Sequence, residues 1–298
     1  MDDHAELRIT ELPTLRHPVL IAAFRGWNDG GQAATLAAGT LTRIWDARRF
    51  AEIDPEGFVD FQSSRPTVTL DEGMTRQIEW PGITFHTAAI PGANRDAVIL
   101  LGVEPNYRWR AFNELVVGLA RDLGVELVVT LGALLADVPH TRPAPVTGAA
   151  SDLSLVEELG LQPSRYEGPT GIVGVLHDAC RQAGIPSVSL WSAVPHYVSL
   201  APSPRAARAL CDRLGELLGV EIDLTELEEA EEIYAEQITE AVSTDPETAA
   251  YVEELERRAD TIDDLMDDDD DLPTGESLAA ELTQYLRDRE SGDPPAVP

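Results

Sequence analysis

Residues 18–24 read PVLIAAF, and the chain then turns through Arg25-Gly26-Trp27-Asn28-Asp29-Gly30-Gly31 into a segment rich in Ala and Leu at 32–45. A short apolar run with no alternating polar positions is the pattern of a strand buried on both faces. Parallel sheets covered by helices demand such strands, whereas antiparallel sheets commonly leave one face in water. Strand, glycine-rich turn and helix in that order therefore constrain the chain to an α/β fold. The same code resumes further on: strand 97–102 (AVILLG), helix 110–123, strand 127–131 (LVVTL), a long loop over about 132–150, helix 171–183, strand 187–194 and helix 204–218. Between 50 and 95 the pattern is of short strands at 58–61, 67–70, 77–80 and 84–90, divided by Pro and Gly, which predicts a meander or hairpin. Residues 1–220 thus form one three-layer α/β domain with a mostly parallel sheet.

Beyond 220 the character changes. Thr225 and Glu228 have capping-box spacing, and Asp245-Pro246 places proline at a first helical position. Leu227, Ala230, Tyr234, Ile238 and Ala241 recur at helical spacing, as do Val252, Leu255, Ala259, Ile262 and Met266. Residues 221–266 are expected to be an amphipathic helical extension that packs on the domain, on itself or on a partner protomer. Five consecutive aspartates at 267–271 repel one another and must be solvated. Residues 267–298 are expected to be an acidic, largely disordered tail with one short helix at 277–289, where Leu278, Leu282 and Leu286 share a face.

The charge is concentrated in that extension. Of the 53 acidic and 22 basic side chains, 27 acidic and 4 basic lie in 221–298, in a chain of net charge −31. Such a surface repels phosphate backbones, which excludes nucleic-acid binding. All basic residues are arginine, so chemistry that needs a lysine nucleophile or a P-loop lysine is excluded. Cys180 and Cys211 stand in no C-x-x-C or other pairing motif and fit a reducing compartment. An acidic start and no apolar run near 18 residues predict a cytoplasmic protein without membrane partners. No dinucleotide, zinc-protease or nucleophile-elbow motif is present, so no cofactor, metal or catalytic residue is assigned.

Three loops fall at the ends of the expected parallel strands, where open α/β sheets place their ligands. In the first, Arg25, Trp27, Asn28 and Asp29 stand before a helix N-terminus; an ordinary tight turn with Asp29 capping the helix accounts for them equally. In the second, Asn106, Arg108, Trp109 and Arg110 offer two arginines beside an aromatic ring, for an anion, a partner or nearby acids. In the third, Asp137, His140, Thr141 and Arg142 lie between stiffening prolines, with an echo at His196 after Pro195. Histidine there serves either as a proton carrier or as a structural hydrogen-bond donor.

Taken in order, these stretches resemble the PAC2 family, proteins similar to the proteasome assembly chaperone 2, and most closely its actinobacterial branch. The matching blocks are Phe24 to Gly31, Gly102-Val103-Glu104-Pro105 with Arg108-Trp109-Arg110, Gly132 to Pro143, Ser164 to Gly171, and Leu190 to Tyr197, covering about residues 7–220. The resemblance implies a nucleoside-phosphorylase-like fold, self-association as a trimer, and a non-enzymatic role in protein interaction tied to proteasome assembly, with proteasome components as partners. Archaeal members of the family engage the proteasome through a hydrophobic-Tyr-X ending; Ala296-Val297-Pro298 departs from it. The alternative implied by the same fold is a binder or enzyme for a nucleoside- or phosphate-like anion, in which Arg25, Asn28, Asp29, Arg108, Arg110, His140 and Arg142 converge on one pocket. A third reading gives Trp27, Trp109 and Trp191 to a core or interface.

Overall fold

The computed structural model describes residues 6–71, 75–150, 156, 162–163, 167–198 and 200–267. Its strands are β1 (Leu7–Ile9), β2 (Val19–Arg25), β3 (Arg48–Ile53), β4 (Thr67–Asp71), β5 (Thr75–Glu79), β6 (Ile83–Ala89), β7 (Asp96–Val103), β8 (Leu127–Ala136), β9 (Val146–Ala150), β10 (Gln162–Pro163) and β11 (Ser187–Pro195). Its helices are α1 (Ala33–Ile44), α2 (Trp109–Asp122), α3 (Ile172–Ala183), α4 (Pro204–Leu218), α5 (Thr225–Ser243) and α6 (Pro246–Asp267).

Nine strands form one mixed sheet in the order β1-β3-β6-β7-β2-β8-β11-β9-β10. The central four, β7, β2, β8 and β11, are mutually parallel, and β3, two antiparallel steps from β7, runs the same way. Antiparallel partners close both flanks. The apolar run in β2 is buried on both sides, as its composition requires. Leu20, Ala22 and Phe24 enter a core shared with α2 and α3, while Val19, Ile21 and Ala23 enter one shared with α1 and α4. Three layers follow from that alternation. The loops after β2, β7, β8 and β11 consequently leave the same end of the sheet.

Two local readings within residues 1–220 change. Residues 58–61 form no strand, because Pro55–Gly57 is a 3-10 turn and the backbone beyond it curls. Asp60 donates its N–H to Asn106 Oδ1 at 2.7 Å, while Ser63 and Ser64 donate theirs to Asp60 O. The loop expected at 132–150 is partly sheet, since β8 runs on to Ala136 and β9 adds to β11. The hairpin appears as β4 and β5, a separate two-stranded sheet in which Val68 faces Ile78.

The extension is helical. Leu227, Tyr234 and Ile238 of α5 are buried, as are Val252 and Leu255 of α6. Thr225 does not cap α5; it is the first helical residue, and its N–H and hydroxyl both go to Asp223 Oδ1. Asp245 does cap α6, accepting from Glu247 N–H at 3.2 Å and Thr248 Oγ1 at 2.6 Å ahead of the expected Pro246. The acidic tail expected over 267–298, with its short helix, lies outside the described residues beyond Asp267. Among the described residues no helix is long and apolar enough to cross a membrane.

Candidate functional site

The loop after β2 is held from beneath by Glu104, which follows β7. Its Oε2 accepts the Trp27 N–H at 3.0 Å, and its Oε1 accepts the Asn28 amide at 3.1 Å and the Ile172 N–H, in the first turn of α3, at 2.9 Å. One carboxylate therefore ties two loops to a helix N-terminus, where negative charge is favoured. Asn28 is buried, and a Cβ on Gly171 would lie 2.3 Å from its Nδ2, so only glycine admits this junction. Asp29 faces the other way and caps α1. Its Oδ1 accepts from Ala34 and Thr35 N–H at 2.8 and 3.2 Å, and Thr35 Oγ1 donates to Oδ2 at 2.5 Å. Burial raises the Asp29 carboxyl above its ordinary value, and these bonds oppose the rise. Trp27, 67% exposed, and Arg25 are the loop's outward groups.

The second loop is braced as well. Asn106 holds the Asp60 backbone, and Trp109 Nε1 donates to Pro105 O. Arg108, in a left-handed conformation at the start of α2, pairs with Glu6 and lies 5.0 Å from the Phe58 ring centroid. Arg110 is exposed on α2.

The third loop docks on the helical extension. His140 is buried; its N–H donates to Tyr197 Oη at 2.8 Å, its Nδ1 lies 2.8 Å from the same oxygen, and its Nε2 lies 3.3 Å from Thr239 Oγ1 in α5. Thr239 donates its own proton to Ala235 O. We assign the tautomer in which every proton has an acceptor: Tyr197 O–H donates to Nδ1, and Nε2–H donates to Thr239. Burial, with Arg205 nearby, lowers the His140 pKa, in keeping with this neutral ring. Burial pushes Tyr197 up to about 12. Thr141 Oγ1 donates to Glu256, and Arg142 grips Asp260 through Nε (2.7 Å) and Nη2 (2.9 Å), both acids lying on α6. Asp137 meets His196 at 3.2 Å, and the His196 ring packs edge-on to Tyr197 and to Tyr251 of α6.

The structure thus brings the thirteen expected site residues to one end of the sheet in three separately braced groups. Arg108 turns to Glu6, Arg142 to α6, and Asn28 and Asp29 into the loop's own framework. The PAC2 family model matches residues 23–242. The chain belongs to the PAC2 family. Two PAC2 relatives match it across nearly their whole length. A PAC2 family protein of Streptomyces avermitilis is 49% identical with a TM-score of 0.73, the match covering 79% of this chain and 99% of that one. A proteasome-assembly chaperone homologue of Mycobacterium tuberculosis is 47% identical with a TM-score of 0.71, over 78% and 99% of the two chains. PbaB of Pyrococcus furiosus, an archaeal proteasome activator, shares the fold at 20% identity and a TM-score of 0.63, over 79% and 97%. No curated protein matches.

Within this PAC2 chain, sequence reasoning passed over Glu104, Tyr197, Thr239, Tyr251 and Arg205 as site residues. Glu104 carried a usable signal, an acid directly after a buried strand and opposite a glycine-rich turn. The others gave none, because the loop residues they meet, His140 for Tyr197 and Thr239, His196 for Tyr251 and Arg142 for Arg205, lie 57, 99, 55 and 63 residues away, beyond the reach of any local pattern.

Proposed function

We propose that this PAC2 protein is a non-enzymatic protein-interaction factor of the cytoplasm, acting as a chaperone or scaffold in proteasome assembly. The observation that carries this reading is its 47% identity, over 78% of its length, to a proteasome-assembly chaperone homologue. The geometry agrees with it. Asp29, Glu104, His140 and Arg142, the groups best able to do acid–base or anion chemistry, hold loops and helices together. Self-association as a trimer belongs to the same proposal. Val68, Leu70 and Ile78 project from one face of the β4–β5 hairpin, and Trp80 follows it; all four are exposed. Affinity co-purification from the native host, with mass spectrometry of the bound proteins, tests the partner: enrichment of proteasome subunits or their precursors is expected, and their absence would overturn it. Sedimentation velocity tests the oligomer.

One observation favours a second reading, a small anionic ligand. A groove of about 680 Å³ opens beside the β2 loop, bordered by Arg25, Arg65 and Trp80. Calorimetric titration with inorganic phosphate and nucleosides tests it, and an absence of heat would remove it.

A further inference from the structure

The acids of the extension face a row of arginines on the domain. Arg43 of α1 pairs with Glu226 at 2.6 Å, Arg208 of α4 with Glu228 and Glu231 at 3.2 and 2.8 Å, and Arg205 with Glu231 at 2.9 Å. The row continues through Arg142, whose carbonyl accepts from Arg205 Nη1 at 2.8 Å, to Asp260 and Glu256. In a chain of net charge −31 this seam sets four arginines of the domain against five acids of the extension. Its two halves are held differently. Along the first half, α5 buries Leu227, Tyr234 and Ile238 and donates Tyr234 Oη to Leu200 O. Along the second, residues 246–261 of α6 bury Val252 and Leu255, and beside them lie polar and aromatic contacts: the Arg142 fork on Asp260, Thr141 on Glu256, and Tyr251 against His196 and Tyr197.

A guanidinium fork and a hydroxyl read two carboxylates one helical turn apart, at i and i+4, and an aromatic slot reads a ring on the preceding turns. We propose that the 138–143 loop with His196 and Tyr197 is an acceptor for an acidic helix, that α6 occupies it in the free chain, and that α6 lifts away at the Thr244–Asp245 link to let an acidic helix of a partner protein take its place. Charge complementarity favours such a partner, since with α6 lifted the Arg142 fork has lost Asp260 and Glu256, while Asp137 stays with His196 at the edge of the acceptor. The α6 cover makes the acceptor selective, because a partner helix must outcompete a tethered one. The inference does not depend on the proteasome reading, and its tests contain no proteasome component.

The first test uses the unmodified full-length protein. Amide hydrogen exchange in low salt and in 1 M sodium chloride reports α6 and α5 separately: screening weakens the ion pairs of both helices, and α5 keeps Leu227, Tyr234 and Ile238 buried beneath its own. Exchange over 246–260 is expected to accelerate about tenfold in high salt, and exchange over 225–243 by clearly less. Equal acceleration of both helices, or of neither, overturns the proposal. The second test is binding of a fluorescent peptide spanning 246–267 to three full-length proteins. The double variant E256A/D260A, with its own helix loosened, is expected to bind at least about tenfold more tightly than wild type, and adding R142A is expected to abolish the gain. A double variant that binds no better than wild type, or a triple variant that binds as well as the double, overturns the proposal. Unchanged exchange over 225–243 in each variant confirms that the domain and α5 remain folded.

Discussion

Glu104 and Asn28, 76 residues apart, meet at 3.1 Å beneath the β2 loop, and the carboxylate that accepts the Asn28 amide also accepts the first N–H of α3. A single side chain thus couples the end of β7, the loop after β2 and a helix on the far side of a long excursion. The loops after β2 and β7 are thereby braced against each other and against α3.

Replacing Glu104 tests that coupling. In E104Q, with the amide oxygen kept towards Asn28 and Ile172, the Trp27 N–H meets an amide NH2 instead of an oxygen, with an expected loss of about 1–2 kcal/mol. E104A leaves all three N–H donors without their acceptor and is expected to cost about 2–4 kcal/mol. Urea unfolding monitored by tryptophan fluorescence measures both; equal stability of E104A and wild type would show that the contacts are incidental.

Gly171 makes a steric prediction at the same junction. The Cβ of G171A would lie 2.3 Å from Asn28 Nδ2 and 2.8 Å from Glu104 Oε1. The expected cost is about 2 kcal/mol or more, since a packed polar junction has no room to yield. In the N28G background the closest of those clashes is gone, so G171A is expected to cost less there. A double-mutant cycle of melting temperatures checks this.

His177 sets an acid limit. The ring is enclosed between Thr130 Oγ1 and Ser187 Oγ, each at 2.8 Å, and burial lowers its pKa from 6.5 to about 4. Because the unfolded chain takes up this proton at a higher pH than the native state does, the contribution is whole above pH 6.5 and lost progressively down to about pH 4. It amounts to at most about 3 kcal/mol. H177Q is expected to flatten the stability–pH profile in that window, whatever it does to stability at pH 7.

Tyr197 closes the fourth case. Y197F deletes the hydroxyl that accepts the His140 N–H and donates to its Nδ1, leaving two buried groups of His140 without partners. A loss of about 2–3 kcal/mol is expected, with faster amide exchange confined to the 137–143 loop and α5. Exchange that rises uniformly over the domain would show that Tyr197 serves general packing instead.

The amino-acid sequence by itself determined the elements whose signal is local. The run at 18–24 dictated a doubly buried strand because seven apolar residues leave no side for water, and the helix at 204–218 was legible to the residue. Pro246 was placed by its fixed φ and missing N–H, and the acid-rich extension by its periodicity. The three loops were legible as candidates because they end parallel strands. What they hold was not. Arg142 can pair with any acid in a chain that carries 53, and only the path of α6 over the 137–143 loop selects Asp260 and Glu256. His140 reads alike as a base or as a bridge until Tyr197 and Thr239 arrive from 57 and 99 residues away. The tertiary structure made those choices because hydrogen bonds and ion pairs depend on atoms within about 3 Å, and that proximity between distant residues is created by burial of the core, which leaves no local trace in the residues themselves.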